Sequence, residues 1–530
     1  MISRKKAGLL FFLIFLSNSL LAQNLNDFIT GVLLDSKSGE PVVFATIRVK
    51  NKAIGVISNN DGGFKVPVHF QLEGEALEIS CMGYQTKTLV FAELKEKIIN
   101  RIYLEPSAFE LSEAVVTASK RKRLTAKQIL KRAIQQIPQN YQKEPFELVG
   151  YYRDYQLKNK KYLNLNEALI RVSDQGFETK DYQTLQFGLY DYMRNLEFER
   201  DSFAAKPYDY SNRDKIIPDA TLQGNYVGNE LVLLFIHDAI RNHNIDAYSF
   251  VYKFIEDFIK EHRFKRLENT TFGDELVYKI RISKSVMPYE VNGIIYVDVD
   301  DYSIRKLDYS VWRLSPPQNP SSEGVLLPRT LLYEILVEYQ DVGDKMYLNY
   351  ISFHNQFQLV RPPKFAIIGA ELDSVEKQLK VRLNKPIANW YDLEIKDFDV
   401  VHNGRKMQMK SALRNGDSAF ILTFALQNKN LQKQFDDLLT DLTENPRPSF
   451  VVQVKNMTDA EGNRLGERKS ELLEQFREFF AQKVETISGS QPNSAWVDKS
   501  KSLNHFNQPV LPKDVSLEGL WMNTPLKSVE

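Results

Sequence analysis

Apolar and polar residues alternate in short runs through the first hundred positions of the chain. The runs fall at 29–35, 42–49, 53–58, 64–68, 76–81, 87–91 and 98–104. Turn signals separate them at Ser38-Gly39-Glu40-Pro41, at Asn59-Asn60-Asp61-Gly62-Gly63 and at Met82-Gly83. Glycine supplies positive φ, and Asn and Asp tolerate it. Many short strands at this spacing predict a β-sandwich over 23–106.

The pattern then changes period. At 125–137 Ile129, Ala133, Ile134 and Ile137 line one face of a helix that Thr125 caps and Pro138 stops. Residues 174–228 show no period and read as a long irregular insertion, and 231–241 and 250–262 read as helices. From 264 the alternation returns at 276–283, 293–299, 303–312, 331–339 and 345–358. In 303–312 Leu307, Tyr309 and Val311 point one way while Lys306, Asp308 and Ser310 point the other. Together 125–365 predict an α+β domain built on a curved antiparallel meander. A further β unit follows at 366–466. Within 467–486 Leu472, Leu473, Phe476, Phe479 and Phe480 recur at helical spacing and predict an amphipathic helix. The last stretch, 487–530, reads as a loosely packed tail anchored by Trp496 and Trp521. The fold class is therefore mainly β and multidomain.

Composition adds compartment and excludes one partner. The 530 residues carry a net charge of +1, which gives no bulk attraction for nucleic acid. The one dense basic run, Lys120-Arg121-Lys122-Arg123, falls in the expected linker 107–124 and reads as solvated. Arg4, Lys5 and Lys6, the apolar stretch 9–16 and Ala22 before Gln23 have the parts of a secretory signal peptide over 1–22. An exported protein at the periplasm or outer membrane is expected. Cys81 is the only cysteine, so no internal disulfide forms, and its place in a strand reads as a small buried residue.

Chemistry is sparse. His69, His237, His243, His262, His354, His402 and His505 are scattered, and His237 and His243 are six apart, not on one helix face. The acids Asp298, Asp300 and Asp301 read as turn and surface groups. Asp459 and Asn463 have calcium-ligand chemistry, but their spacing suits a turn that bonds its own backbone. Tyrosines cluster at Tyr151, Tyr152 and Tyr155 and between Tyr182 and Tyr226, where packing competes with stacking on a sugar or apolar ligand. No catalytic, cofactor-binding or metal-ligating residue is assigned.

Several stretches resemble known families. Gly31, Asp35, Gly39, Pro41, the Asp61-Gly62-x-Phe64 turn and Gly83-Tyr84 resemble the carboxypeptidase-regulatory-like domain, which implies a transthyretin-like sandwich without catalytic residues. That module is common after the signal peptide of exported Bacteroidota-type proteins. LSEAVVTAS at 111–119 resembles the segment before the plug of TonB-dependent receptors, although no receptor barrel follows. NGIIYVDVDDYSIRKLDY is similar to a strand-turn-strand of lipoprotein-carrier half-barrels, and 366–466 resembles a bacterial Ig-like domain. Asp373-Ser374-Val375 and Asp417-Ser418-Ala419 resemble a short glycosylation signal of exported proteins. The resemblances imply a non-enzymatic envelope protein that binds or scaffolds, working with an outer-membrane or envelope protein and possessing a possible lipid or glycan ligand. A carrier of a lipid or other apolar ligand is the alternative, and a hydrolase of envelope polymers the second.

Overall fold

Seven strands realise the alternation of the first hundred residues: β1 Phe28–Asp35, β2 Thr46–Val49, β3 Gly55–Ile57, β4 Gly63–Pro67, β5 Ala76–Ser80, β6 Lys87–Val90 and β7 Ile99–Leu104. They belong to a computed structural model that describes residues 28–107, 124–219, 228–244, 256–315, 329–445, 450–486, 496–512 and 517–526, save positions 51, 53, 73, 274 and 518. The expected signal peptide, the segment 111–119, the basic run 120–123 and parts of 174–228, of the 250–262 helix and of the tail lie outside the described residues.

The seven strands stack as two sheets, β4-β1-β7 and β3-β2-β5-β6. Inward residues such as Ile29, Leu33, Ile47, Phe64, Leu77 and Ile79 are fully enclosed between them. One pair is parallel: β1 and β7 run together with Thr30 beside Ile99 and Leu34 beside Tyr103. The turn at Asp61-Gly62 closes the hairpin into β4. Gly62 sits at φ 73°, and a Cβ there would meet the Leu33 carbonyl at 2.6 Å, so only glycine fits. Asp61 accepts the Gly63 N–H at 2.8 Å. Asp35 accepts from Lys37 and Ser38 N–H, and from the Tyr84 hydroxyl at 2.9 Å. The conspicuous residues of the module's sequence thus hold its turns.

The chain divides into two compact units, and the first, 1–207, 217–357 and 473–530, contains the sandwich. Eleven further strands enter the large sheet: β8 Phe146–Lys158, β9 Lys161–Asp174, β10 Gln186–Arg194, β11 Lys215–Ile216, β12 Arg263–Arg266, β13 Thr270–Phe272, β14 Glu275–Val286, β15 Tyr289–Asp298, β16 Ile304–Leu314, β17 Arg329–Val342 and β18 Lys345–Val360. A last strand, β26 (Ser470–Thr486), enters between β8 and β18, giving the order β10-β9-β8-β26-β18-β17-β16-β15-β14-β12. The meander expected from 264 onward is β12 to β18.

One face of this sheet is covered by helices α1 (Ala126–Asn140), α2 (Glu230–Ile236) and α3 (Glu256–Glu261). Thr125 caps α1 in a capping box with Gln128. Pro138 lies inside the last turn instead of stopping it, and the helix ends at Asn140. Proline here removes only one N–H near the helix end, and Tyr141 N–H closes on Ile137 O at 3.1 Å. Ile129, Leu130 and Ile137 of α1, Leu231, Leu234 and Phe235 of α2, and Phe258 of α3 join Ile280, Ile295, Leu307, Ile335 and Phe479 of the sheet in one buried cluster.

Three expectations need correction. Residues 467–486 are not a helix: 470–486 are β26, paired with β8 from Glu474–Leu157 to Thr486–Phe146. Strand period explains the residues better than helix period. Phe479 and Ala481 enter the helix-side core, whereas Phe476 and Phe480 pack on the opposite face. A strand buried on both faces carries apolar residues on both, which at 476, 479 and 480 imitates a helical stripe. The insertion 174–228 holds β10, which pairs with β9. The tail, where described, is firmly packed: Val497 and Leu511 N–H donate to Phe187 and Leu189 carbonyls of β10 at 2.8 and 2.6 Å. That contact covers the free edge of the sheet.

The second unit comprises 208–216 and 358–472. Its strands are β19 Ile367–Asp373, β20 Gln378–Leu383, β21 Phe398–His402, β22 Arg405–Met407, β23 Met409–Arg414, β24 Ala419–Phe424 and β25 Phe450–Val454. They form the sheets β19-β20-β24-β23 and β22-β21-β25 around Val381, Val400, Phe420 and Leu422. Within this unit β11 pairs with the end of β18, Lys215 beside Leu359. The sequence reading lacked one element, α4 (Lys429–Glu444), which Asn428 caps and which inserts Phe435 and Leu438 into the core.

Candidate functional site

The outer face of the β3-β2-β5-β6 sheet and the β3–β4 turn meet the large sheet on the face away from the helices, and the contact combines charged and polar groups with a small apolar cluster of Phe44, Ile57, Leu336, Tyr350 and Phe480. Arg153 of β8 and Glu478 of β26 stand beside each other in the ladder and form an ion pair, both within 3% of full burial. Strand alternation places them there. Tyr151, Arg153 and Tyr155 point to the sandwich, while Tyr152 points into the helix-side core. Arg153 also donates to Asn59 Oδ1 and to the Asn523 carbonyl at 3.3 Å. Glu478 accepts the Tyr155 hydroxyl at 2.7 Å, and Asn60 Nδ2 donates to that hydroxyl at 2.6 Å. Burial alone would lower the Arg153 guanidinium's pKa, and the Glu478 carboxylate overrides it and raises it.

A second cluster lies further along the same contact. Arg48 of β2 donates to Asn349 Oδ1, and Asn349 Nδ2 donates to Glu338 at 2.8 Å. Lys306 pairs with Glu338 at 3.4 Å. Gln482 donates to the Gly55 carbonyl of β3 at 2.9 Å. Cys81 lies in this region, and burial pushes its thiol up to about 11, which keeps it protonated and unreactive at neutral pH.

The tail completes the junction. Trp521 enters the sandwich core beside Phe70, ring centroids 5.8 Å apart, and donates to the Lys65 carbonyl at 2.8 Å. Asn523 accepts from Lys65 N–H and donates to the Ile57 carbonyl at 2.7 Å. Thr524 donates to Glu167 at 2.8 Å, which also accepts from Tyr151 at 2.6 Å and Asn195. Sandwich, sheet and tail are therefore held by buried and half-buried polar groups, among which Arg153, Glu478, Lys306, Glu338 and Glu167 are buried charges. Leaving one of those charges unpaired is strongly destabilising.

The opposite side of the sandwich faces outward. Thr30, Val32 and Leu34 of β1 lie beside Ile99, Arg101 and Tyr103 of β7 in register. Val90, Ile98, Ile99 and Tyr103 are among the exposed large apolar residues, with Ile98 at 50% and Tyr103 at 45%. Lys87 of β6 donates to the Tyr103 carbonyl at 2.9 Å, so the two edge strands adjoin there.

The residues singled out in the sequence have mostly structural surroundings. His237 bonds Leu233 O at 2.7 Å and stacks on Phe353 at 3.7 Å, and His243 bonds Ile240 O at 3.0 Å. Burial lowers the His237 imidazole to about 4. Asp238 caps Ile240 and Arg241 N–H and accepts the Tyr339 hydroxyl at 2.6 Å, and Arg241 pairs with Asp174. Asp298 accepts from Asp300 and Asp301 N–H. Asp459 accepts from Asn463 N–H and Nδ2 at 2.8 Å and pairs with Lys385. Among the described residues no three of His, Cys, Asp and Glu are grouped to hold a metal. Tyr151 and Tyr155 pack by the ring and bond by the hydroxyl. Sequence reasoning missed Arg153 and Glu478. The signal was a charge set in the apolar runs YYRDY and FREFF.

Residues 29–116 match the profile of the CarboxypepD_reg-like domain, a non-catalytic Ig-like fold, so the opening sandwich is such a domain. No curated protein matches the chain. Among solved structures, a LolA superfamily protein from Nitrosomonas europaea aligns with 12% identity and a TM-score of 0.17, over 44% of this chain and 86% of that one. A score this low carries no argument about fold or ligand.

Proposed function

We propose that this chain is a non-enzymatic binding and scaffolding protein of the cell envelope, exported by its leader and acting with an outer-membrane protein. The observation that supports the reading is the two-sided sandwich. One side is fixed to the large sheet by buried charges and by the tail. The other presents the exposed Ile99 and Tyr103 and the half-buried Val32 and Leu34 outward, with Thr30 and Arg101 in the same rows. A preorganised face of mixed apolar and polar groups suits a protein partner, because little ordering entropy is lost on binding. The carrier reading is less well supported, because the chain's own Leu231, Leu234, Phe235 and Phe258 occupy the space against the helix-covered face.

The test is affinity capture from the native envelope in mild detergent, with proteins and lipids both identified, for the natural chain and for Ile99→Asp with Tyr103→Asp. A stoichiometric envelope protein lost in the variant supports the proposal. Lipid recovered without protein moves the reading to the carrier. Recovery of neither removes both and directs attention to hydrolase assays on envelope polymers.

A further inference from the structure

The β14–β15 hairpin ends in an apolar tip with cations behind it. Val286 is 51% exposed and Met287 66%. Leu314 N–H donates to the Pro288 carbonyl at 2.7 Å, which brings the end of β16 beside the tip. There Trp312 is half-buried, and Arg329, opposite Leu314, stacks on it with its guanidinium 4.4 Å from the ring centre.

The cations sit on the face away from the helices. Phe264, Ile280 and Ile282 face the helix-side core, so Arg263, Lys265 and Arg281 face the other way. Lys265 stands directly opposite Arg281 in the β12–β14 ladder, and Arg263 opposite Ser283. All three are exposed, and among the described residues none has an ion-pair partner. Like charges in direct cross-strand register repel, a local conflict of the kind expected where function overrides stability.

Two of the acids nearby are already paired, Glu261 with Lys284 and Asp219 with Arg313. Glu290, which accepts from Asn292 at 3.0 Å, and the half-buried Asp308, two strands from Arg281, remain as carboxylates on this face, but neither stands opposite Arg263, Lys265 or Arg281 in the β12–β14 ladder.

We infer that this end of the sheet docks on an anionic lipid bilayer surface, with Val286 and Met287 entering the acyl boundary. Trp312 and Arg329 then sit at headgroup level, where amphipathic rings and cations are favoured. Arg263, Lys265 and Arg281 follow within about 10–17 Å of the tip, from the rise of a β-strand. Anionic lipid supplies the counter-charge that the ladder lacks. The inference is separate from the protein-partner proposal and uses a different surface.

The test is vesicle flotation with the chain from Gln23 onward, so that the apolar leader contributes no lipid affinity. Vesicles of phosphatidylglycerol and phosphatidylcholine in equal parts are compared with phosphatidylcholine alone. The protein is expected to float with the mixed vesicles and about ten-fold less with the neutral ones, with the difference shrinking in high salt. Val286→Asp with Met287→Asp, and separately Arg263→Glu with Arg281→Glu, are each expected to reduce flotation about ten-fold, with unchanged circular dichroism. No flotation with the mixed vesicles would overturn the inference, and so would flotation that both variants leave intact. The assay contains no other protein, so its failure leaves the partner proposal standing.

Discussion

Removing the Arg153 side chain tests how the sandwich is held. In Arg153→Met the Glu478 carboxylate stays buried with the Tyr155 hydroxyl at 2.7 Å as its remaining donor. Breaking one side of a buried pair costs about 3–5 kcal/mol. Glu478→Met strands the guanidinium at a similar cost. The double variant removes both charges and should lie within about 1–2 kcal/mol of the natural protein, because buried pairs contribute little net stability over apolar replacements. The cycle therefore predicts a coupling of about 3 kcal/mol or more. Native-state hydrogen exchange at β3 and β8 reads it locally, which suits a chain of several domains better than one global transition. A coupling below about 1 kcal/mol would refute the view that this pair is buried and mutually dependent.

Trp521→Ala should destabilise the sandwich by about 3–5 kcal/mol, as for a large core aromatic, and limited proteolysis should then cut within 28–107 before the rest of the chain. His262 is held neutral, its imidazole lowered to about 4 by burial, with Nε2 2.8 Å from the Tyr309 hydroxyl. The unfolded residue takes a proton near pH 6.5, so stability contributed by this group is lost as pH falls from 6.5 to 4. The loss reaches about 3 kcal/mol at most, and His262→Gln should flatten that part of an unfolding profile. Asp238, raised to about 6 by burial, works in the opposite direction. Its folded form holds a proton between about pH 4 and 6 that the unfolded form has lost, so Asp238→Asn should remove a gain in stability on acidification.

The sandwich was legible because its turns are written in residues with few alternatives: Gly62, Asp61, Asp35 and Tyr84 each satisfy a local bond. The β12–β18 meander was legible because one face is apolar and the other polar, which gives period two. β26 was illegible for the converse reason. Its two faces are both buried, and its charges Arg477 and Glu478 point to opposite sides, Arg477 to Glu230 of α2 and Glu478 to Arg153. Strand pairing with β8 and β18, across more than 300 and more than 100 positions, decides it, and local propensity does not carry that information. The junction was hidden for the same cause, since Asn59, Arg153, Glu478 and Asn523 come from four distant stretches. The tail's Trp521 was recognisable as an anchor, but not what it anchors.

The central claim is that the outward face of the sandwich meets an envelope protein. A photo-crosslinking amino acid at position 103 tests it most directly, with position 413 of the second unit, 57% exposed as Leu413, as the control. The account predicts one discrete protein adduct from position 103 in intact cells and none from 413. No adduct from 103, or the same adducts from both positions, would contradict it.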